Sequence, residues 1–362
     1  MMSSPLPTES QSQPEGDVPA DAGAVEPKLR LGSKFATFLC WVYAVGAFCI
    51  LALMRYAGER WWPATILLFS PRWFWALPFP LVALLALLRP RGRTLPLAIA
   101  SAVVLLGIMG LEIPWRRALP EPTGHQKLRI VTCNLHNWHS NFDILSAFIN
   151  QANPDIILFQ DYTREREPLM VKRGVWYRRP YDGMYIASRF PIGNVENLIP
   201  RDQATKAYES VGLPLGKAQC FSVDLPGGRI HLVNLHLASA HYPLEWVRDG
   251  SDIGPELLDI NSWRRGVESA AISKRIQEIG GPFIVAGDFN TPDDSIIFRK
   301  SWWRLRDAFT EDGFGFGATY ARHHTWLRID HLLSNEDWHC TDFQIGTDVG
   351  SGHRPILAVF ER

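Results

Sequence analysis

The chain has 362 residues and a formal net charge of zero, which excludes the global charge bias of a polyanion-binding protein. Its five cysteines show no CxxC spacing, so neither a zinc ribbon nor a disulfide framework is implied. The length suits one large domain plus something smaller.

Residues 1–30 are rich in Ser, Pro, Glu, Gln and Ala and are expected to form a disordered polar tail. Residues 31–113 change character. Phe35 to Met54 carries no charge and is long enough to cross a bilayer. Trp73 to Leu88 is a second apolar run, interrupted by Pro78 and Pro80, and Leu95 to Leu111 is a third. Three transmembrane helices, at about 35–54, 73–88 and 95–111, are therefore expected. A cleaved signal peptide does not explain two further runs. Trp61, Trp62, Trp73 and Trp75 stand where interfacial aromatics belong. Lys28, Arg30 and Lys34 precede the first run, and Arg89, Arg91 and Arg93 lie on the same side. That bias predicts an integral membrane protein of the plasma or inner membrane, with its C-terminal part outside the cytoplasm.

Residues 114–126 hold Pro114, Pro120, Pro122 and Gly124 and read as a linker. Residues 127–362 read as one soluble domain with slightly more acidic than basic residues. Short β-rich runs recur at Leu128–Cys133, Asp155–Phe159, Met184–Ala187, Cys220–Val223, Arg229–Leu235, Phe283–Ala286, Ile329–Leu333 and Ile356–Phe360. Phe142–Gln151 and Trp263–Ile279 read as helices, the second with Val267, Ala270, Ala271, Ile276 and Ile279 inward. Cys220–Val223 and Arg229–Leu235, joined by Pro226-Gly227-Gly228, read as a hairpin. The pattern argues for mostly antiparallel sheets covered by helices.

The domain is organised around Phe283-Ile284-Val285-Ala286-Gly287-Asp288-Phe289-Asn290. Residues two apart in an extended stretch face the same way, so Asp288 and Asn290 point to one spot while Phe289 turns inward. A carboxylate holds a metal or orients a water, and an amide holds an anionic oxygen. Both serve phosphate-ester hydrolysis. Asx-turn chemistry before Pro292 explains the same pair equally well. Other polar residues also sit at strand ends: Asn134, Gln160, Asp161, His236, Asp330 and His353. Each alone is weak evidence. Together they supply metal ligands, an amide and two imidazoles with carboxylate partners. Lys172–Arg179 and Phe298–Arg306 mix cations with aromatics. They read as solvated faces with core anchors, or as strips that grip phosphates, bases or anionic headgroups.

The order of these pieces resembles the endonuclease/exonuclease/phosphatase superfamily, related to deoxyribonuclease I. The resemblance runs over nearly all of residues 127–362. It rests on Asn134, Pro154–Asp161, Ser188-Arg189-Phe190-Pro191, Asn234-Leu235-His236-Leu237, Gly287–Asn290, Arg328-Ile329-Asp330 and Gly352-His353-Arg354-Pro355. It implies an α/β fold: a four-layer sandwich of two mostly antiparallel sheets flanked by helices, here preceded by the three-helix transmembrane region. It implies a hydrolase using Mg²⁺ or Mn²⁺, with Asn134, Asp161 and Asp288 at the metal. Asp161 stands where the family has a longer Glu. Asp288 and Asn290 would position water and phosphate, Asp330 would orient His353, and His236 would be the second imidazole. The substrate would be a lipid headgroup or other small phosphoester, or alternatively DNA or RNA. Ser351-Gly352-His353 departs from the family's Ser-Asp-His. The lost carboxylate opens a further alternative, a catalytically weak phosphate-recognising domain. Restoring it by Gly352→Asp is expected to lower the Mg²⁺ requirement.

Overall fold

The computed structural model describes residues 26–88, 92–115, 126–136, 140–163, 171, 175–199 and 212–362. The side chains of residues 26–33, of Leu88 and of His323 are not among them. Most of the expected tail and linker, and Lys172–Gly174, lie outside the described residues.

Two six-stranded sheets form the domain. The first has β1 (Lys127–Asn134), β2 (Ile156–Gln160), β3 (Tyr177–Tyr181), β4 (Met184–Ser188), β11 (His339–Ile345) and β12 (Ile356–Glu361), in the order β11-β12-β1-β2-β4-β3. The second has β5 (Ile192–Asn197), β6 (Lys217–Leu225), β7 (Gly228–His236), β8 (Phe283–Asp288), β9 (Arg306–Asp307) and β10 (Asp330–Ser334), in the order β5-β6-β7-β8-β10-β9. Only β1–β2 and β7–β8 pair in parallel; the other pairs are antiparallel, including the expected β6–β7 hairpin.

Alternation along the strands builds three apolar layers. Ile130, Ile156 and Leu158 of the first sheet meet Phe221, Leu232, Ile284 and Leu332 of the second between the sheets. The outer face of the first sheet offers Val131, Ile157 and Leu357 to Leu145 and Ile149 of the helix Phe142–Ala152. Asn141 caps this helix, its Oδ1 accepting from the amides of Asp143 and Ile144, and left-handed Asn153 ends it. The outer face of the second sheet packs Val233, Leu235 and Val285 on Ile272 and Ile276 of a long helix, Gly254–Ile279.

That helix starts earlier than expected; Ile276 and Ile279 pack inward as expected, but its earlier turns bury a different set of residues. Ala270 is exposed, while Arg264, Arg265, Glu268 and Ser269 are fully buried. Apolar periodicity cannot register a face buried by charge pairing. Glu268 accepts from Arg264 Nε and from the amides of Gly216 and Ala238, each at 3.0 Å. Arg265 lies 3.4 Å from Glu59 of the N-terminal region.

The three expected spans become three helical passes, of which only the first has the required length. Lys34–Ala57 is apolar and long enough to cross a membrane. Trp62–Phe69 and Arg72–Leu87 are bent by 85° at their junction. Thr94–Ile108 spans about 22 Å at the helical rise, short of a hydrocarbon core of roughly 30 Å. The physical reasons are in the chain: Pro71, Pro78 and Pro80 remove helix donors, and the third helix ends before Gly110, which has φ +68°. Arg93 ties the far ends of the passes together, through Thr37 Oγ1 at 3.2 Å and Leu85 O at 2.6 Å. At the near end Arg72 donates to Ile108 O and pairs with Asp294 at 2.7 Å, both groups buried. Met54, Leu68, Phe69, Val104 and Ile108 pack against Ala240, Leu327 and Ile329 of the domain.

Candidate active site

Topology collects the strand-end residues. The parallel pairs β1–β2 and β7–β8 finish at one end of their sheets. β12 and β10 run antiparallel to these neighbours, so they begin there. In register, Asp288 sits beside His236 on one side and Asp330 on the other, and Asn134 beside Gln160. Directly paired residues share a sheet face, so His236, Asp288 and Asp330 project together.

Asp288 is the hub. Its Oδ2 accepts from Asn134 Nδ2 at 2.9 Å and lies 3.6 Å from His236 Nε2 and 3.7 Å from His353 Nε2. Its Oδ1 accepts from the Asn290 amide at 2.8 Å. Asn290 is left-handed (φ 47°) and its Nδ2 donates to Leu237 O. The Asx turn is thus formed, and it fixes the Asp288 carboxylate. Phe289 is buried as expected, packed on Phe298, Trp302 and His331.

His353 and Asp330 form a dyad. Nδ1 of His353 lies 3.0 and 3.1 Å from the two carboxylate oxygens. Thr319 Oγ1 accepts from the amides of Ile329 and Asp330 and fixes the start of β10. Burial opposes charge on the His353 ring, but Asp330 and then Asp288 outweigh it and push it up to about 9. Burial raises the Asp288 carboxyl against the pull of His353.

His236 stands between two carboxylates, its Nδ1 3.4 Å from Asp161 and its Nε2 3.6 Å from Asp288. Burial opposes its charge, yet Asp161 and Asp288 raise it. Burial also works against the Asp161 anion, but His236, His136 and Lys217 hold it down at about 2. Asn134 and Asp288 therefore meet directly, whereas Asp161 reaches Asp288 only across an imidazole. Asp288, Asp330 and His353 each offer a ligand atom within 4.8 Å of the others.

A hard divalent cation fits this chemistry. The available donors are carboxylate and amide oxygens plus imidazole, which suit Mg²⁺ or Mn²⁺ bound through few protein ligands. Asp161 remains ionised through the neutral range and is partly open to solvent.

Several residues at the site had no role assigned from sequence. Gln160 donates to Thr132 Oγ1 and to Asn234 Oδ1, locking the two sheets together behind the site, and its buried Oε1 has no partner among the described residues. Tyr320 lies on His353 with ring centroids 4.9 Å apart. Arg322 Nη1 lies 3.3 Å from His136 Nε2. Gly352 has φ +89°, and a Cβ there would meet Arg322 Cβ and Cδ and Tyr320 Cε2 at 3.4 Å. In the Phe298–Arg306 stretch Phe298 and Trp302 are core residues and Arg299 is tied to Arg55 O, while Trp303 stays exposed with the Arg304 guanidinium 5.2 Å from its ring centre. Tyr177 and Arg178 lie on exposed β3.

The Endonuclease/Exonuclease/phosphatase family model matches residues 131–352. Among solved structures, the chain is similar to an endonuclease/exonuclease/phosphatase from Beutenbergia cavernae, with 15% identity, 66% of this chain and 72% of that one covered, and a TM-score of 0.49. Truncated Caenorhabditis elegans TDP2 gives 15% identity, 67% and 100% coverage, and a TM-score of 0.49. A Bacteroides thetaiotaomicron mannosyl-6-phosphatase gives 15%, 65% and 100%, and 0.48. No curated protein matches in sequence.

Proposed function

This chain belongs to the endonuclease/exonuclease/phosphatase family, and from that premise we propose that it is a membrane-tethered, metal-dependent phosphoesterase. The observation that carries the reading is the Asp288 hub. One buried carboxylate has an amide donor at 2.9 Å, imidazoles at 3.6 and 3.7 Å, and beside it a second carboxylate, Asp330, holding His353 at 3.0 Å.

In this reading Asp288 orients the attacking water and takes its proton, and burial favours the protonated product. His353, charged at neutral pH, holds a phosphoryl oxygen through its Nε2 hydrogen as negative charge develops. Asp330 keeps the ring charged and oriented. His236 faces the same space and serves the leaving group. Asn290 acts through the turn that fixes Asp288. Asn134 and Asp288 would hold the Mg²⁺ or Mn²⁺, with Asp161 on the far side of the His236 ring reaching it through water, and the ion would supply positive charge against the phosphoryl oxygens.

The tether reading rests on Lys34–Ala57 as the single full crossing. Phe35, Phe38, Val42, Val45 and Phe48 leave an apolar face exposed along it. Its C-terminal end is the end docked on the domain, through Arg55 and Glu59. The cationic start then faces the cytoplasm, and the domain lies on the other side.

A substrate held at the membrane surface, such as a lipid headgroup, is favoured over nucleic acid. Trp73 Nε1 donates to His324 O at 2.8 Å, so the apolar region touches the same Thr319–Leu327 loop that covers His353. The domain's slight acidic excess also argues against a polyanion. The test presents full-length protein in detergent with a phospholipid, sphingomyelin, a phosphoinositide, DNA, RNA and a generic diester, each with Mn²⁺ or with chelator. Chelator-sensitive hydrolysis of a lipid phosphoester is expected. Chelator-insensitive activity contradicts the reading. Activity confined to DNA or RNA replaces it with a nuclease, and phosphate binding without turnover replaces it with a recognition domain.

A further inference from the structure

We propose that Arg322 forms an anion subsite at the lip of the Asp288 site, gripping a non-bridging oxygen of the substrate's phosphoryl group. The proposal deepens the phosphoesterase reading and rests on it for the identity of the ligand.

The geometry starts at Gly352. With no side chain and φ +89°, this residue leaves open the space that the Arg322 stem crosses, its Cβ and Cδ 3.4 Å from where a Cβ would stand. Past it, Arg322 Nη1 reaches His136 Nε2 at 3.3 Å. His136 lies two residues beyond Asn134, and its amide donates to the Oδ1 of that asparagine at 2.9 Å. The guanidinium is therefore linked through the His136 residue to Asn134, whose amide holds Asp288.

The segment bearing Arg322 is fixed to the catalytic strand. The Ala321 amide donates to Gly352 O at 3.0 Å and the Arg354 amide to Thr319 O at 2.7 Å. Between these bonds Tyr320 forms a bridge with His353 and rests on its ring. The turn is closed by the Thr325 amide on Arg322 O, and Trp73 Nε1 of the apolar region donates to His324 O. The loop is a rigid mount for a cation.

No carboxylate pairs with Arg322 among the described residues. This distinguishes it from Arg264, Arg265 and Arg328, whose charges are met by Glu268, Glu59, and Asp293 with Asp307. Arginine presents five donors in a planar fork suited to phosphate, and one contact to an imidazole leaves most of that fork unused. The charge has a purpose. Asp161, Asp288 and Asp330 crowd the site, and an incoming phosphate meets their repulsion. A guanidinium at the His136 ring offsets part of it from the lip of the site. The phenol of Tyr320 lies between the two fields: burial raises it, Arg322 lowers it, and Asp288 and Asp330 raise it.

The test compares full-length wild type with Arg322→Gln and Arg322→Lys in detergent. It reads KM, kcat, competitive inhibition by inorganic phosphate and the Mn²⁺ concentration giving half-maximal rate. Thermal midpoints check that each variant folds. Arg322→Gln is expected to raise KM and the phosphate inhibition constant together, roughly ten- to hundredfold, as for loss of a charge-assisted hydrogen bond. The kcat value should stay within about threefold, because uniform binding is what is removed. Arg322→Lys should recover part of the loss. The half-saturating Mn²⁺ concentration should not rise. Unchanged KM and phosphate inhibition in a folded Arg322→Gln protein would overturn the subsite. So would a fall in kcat alone. If wild type hydrolyses nothing, calorimetric titration with inorganic phosphate still decides. Weaker binding in Arg322→Gln keeps the subsite while the phosphoesterase reading fails, and equal binding removes both.

Discussion

Replacing Asp330 by Asn removes the charge that holds His353 in its cationic form while keeping size and hydrogen-bonding capacity. His353 is raised from an ordinary 6.5 to about 9 although its burial opposes charge, and Asp330 is the first cause of the rise. A rise of that size corresponds to about 3 kcal/mol of folded-state stability. The sign follows from linkage. The folded value lies above the unfolded one, so the contribution is fully present below pH 6.5 and is lost as pH rises through about 9. Asp288 still faces the ring in the variant, so the loss on Asp330→Asn is at most about 3 kcal/mol near pH 6. The assay is thermal unfolding of full-length protein in detergent and chelator, from pH 6 to 10, so that protonation alone is read. Asp330→Asn should unfold at lower temperature at pH 6, and the gap to wild type should close as pH approaches 10. In the activity profile, the alkaline limb of wild type should fall near pH 9 and move to lower pH in the variant. An unchanged limb, or a stability gap that widens with pH, would refute the dyad as the source of the His353 charge.

Further outcomes are expected. Glu59→Gln leaves Arg265 buried without its counter-charge and should cost roughly 3–5 kcal/mol in thermal or chemical unfolding, the range for breaking a buried pair. The double variant Glu59→Gln, Arg265→Met should recover much of that loss. Gly352→Asp should lower the half-saturating Mg²⁺ concentration. It should also lower stability by about 1–2 kcal/mol, because φ is +89° and the Arg322 stem already fills the adjoining space. A variant as stable as wild type would show that the loop yields freely.

How far these features were legible depends on the signal each residue carries. Buried strands read clearly, because β2 and β8 are nearly continuous apolar runs and β1 and β7 carry closely spaced apolar residues. β3, β5, β9 and β11, the four sheet edges, went unread: β3, β5 and β11 mix in Arg, Asn, Glu, Pro, Asp and Gln with no clear alternation, and β9 is two residues long. The Asp288, Asp330, His353, His236 and Asn134 cluster was legible as a set of strand ends, and strand direction explains why they meet. The placement of His236 between Asp161 and Asp288 is a side-chain arrangement that spacing does not encode. Arg322 was invisible, because its meaning comes from an absent side chain thirty residues later in the chain, at Gly352. The helical region was overread. Three apolar runs predict three passes, but the length each pass achieves is set by Pro71, Pro78 and Pro80 and by docking on the domain through Arg72 and Glu59.

The central claim is that the Asp288 site hydrolyses a phosphoester, and one comparison tests it most directly. Full-length wild type and Asp288→Asn are assayed at saturating Mn²⁺ on the best lipid phosphoester, with metal binding and folding measured on the same samples. The asparagine preserves the hydrogen-bonded turn but cannot accept the proton of an attacking water. A loss of about 10²–10⁴ in kcat, the scale of a removed general base, is expected in a protein that remains folded. Turnover within a few-fold of wild type would contradict it.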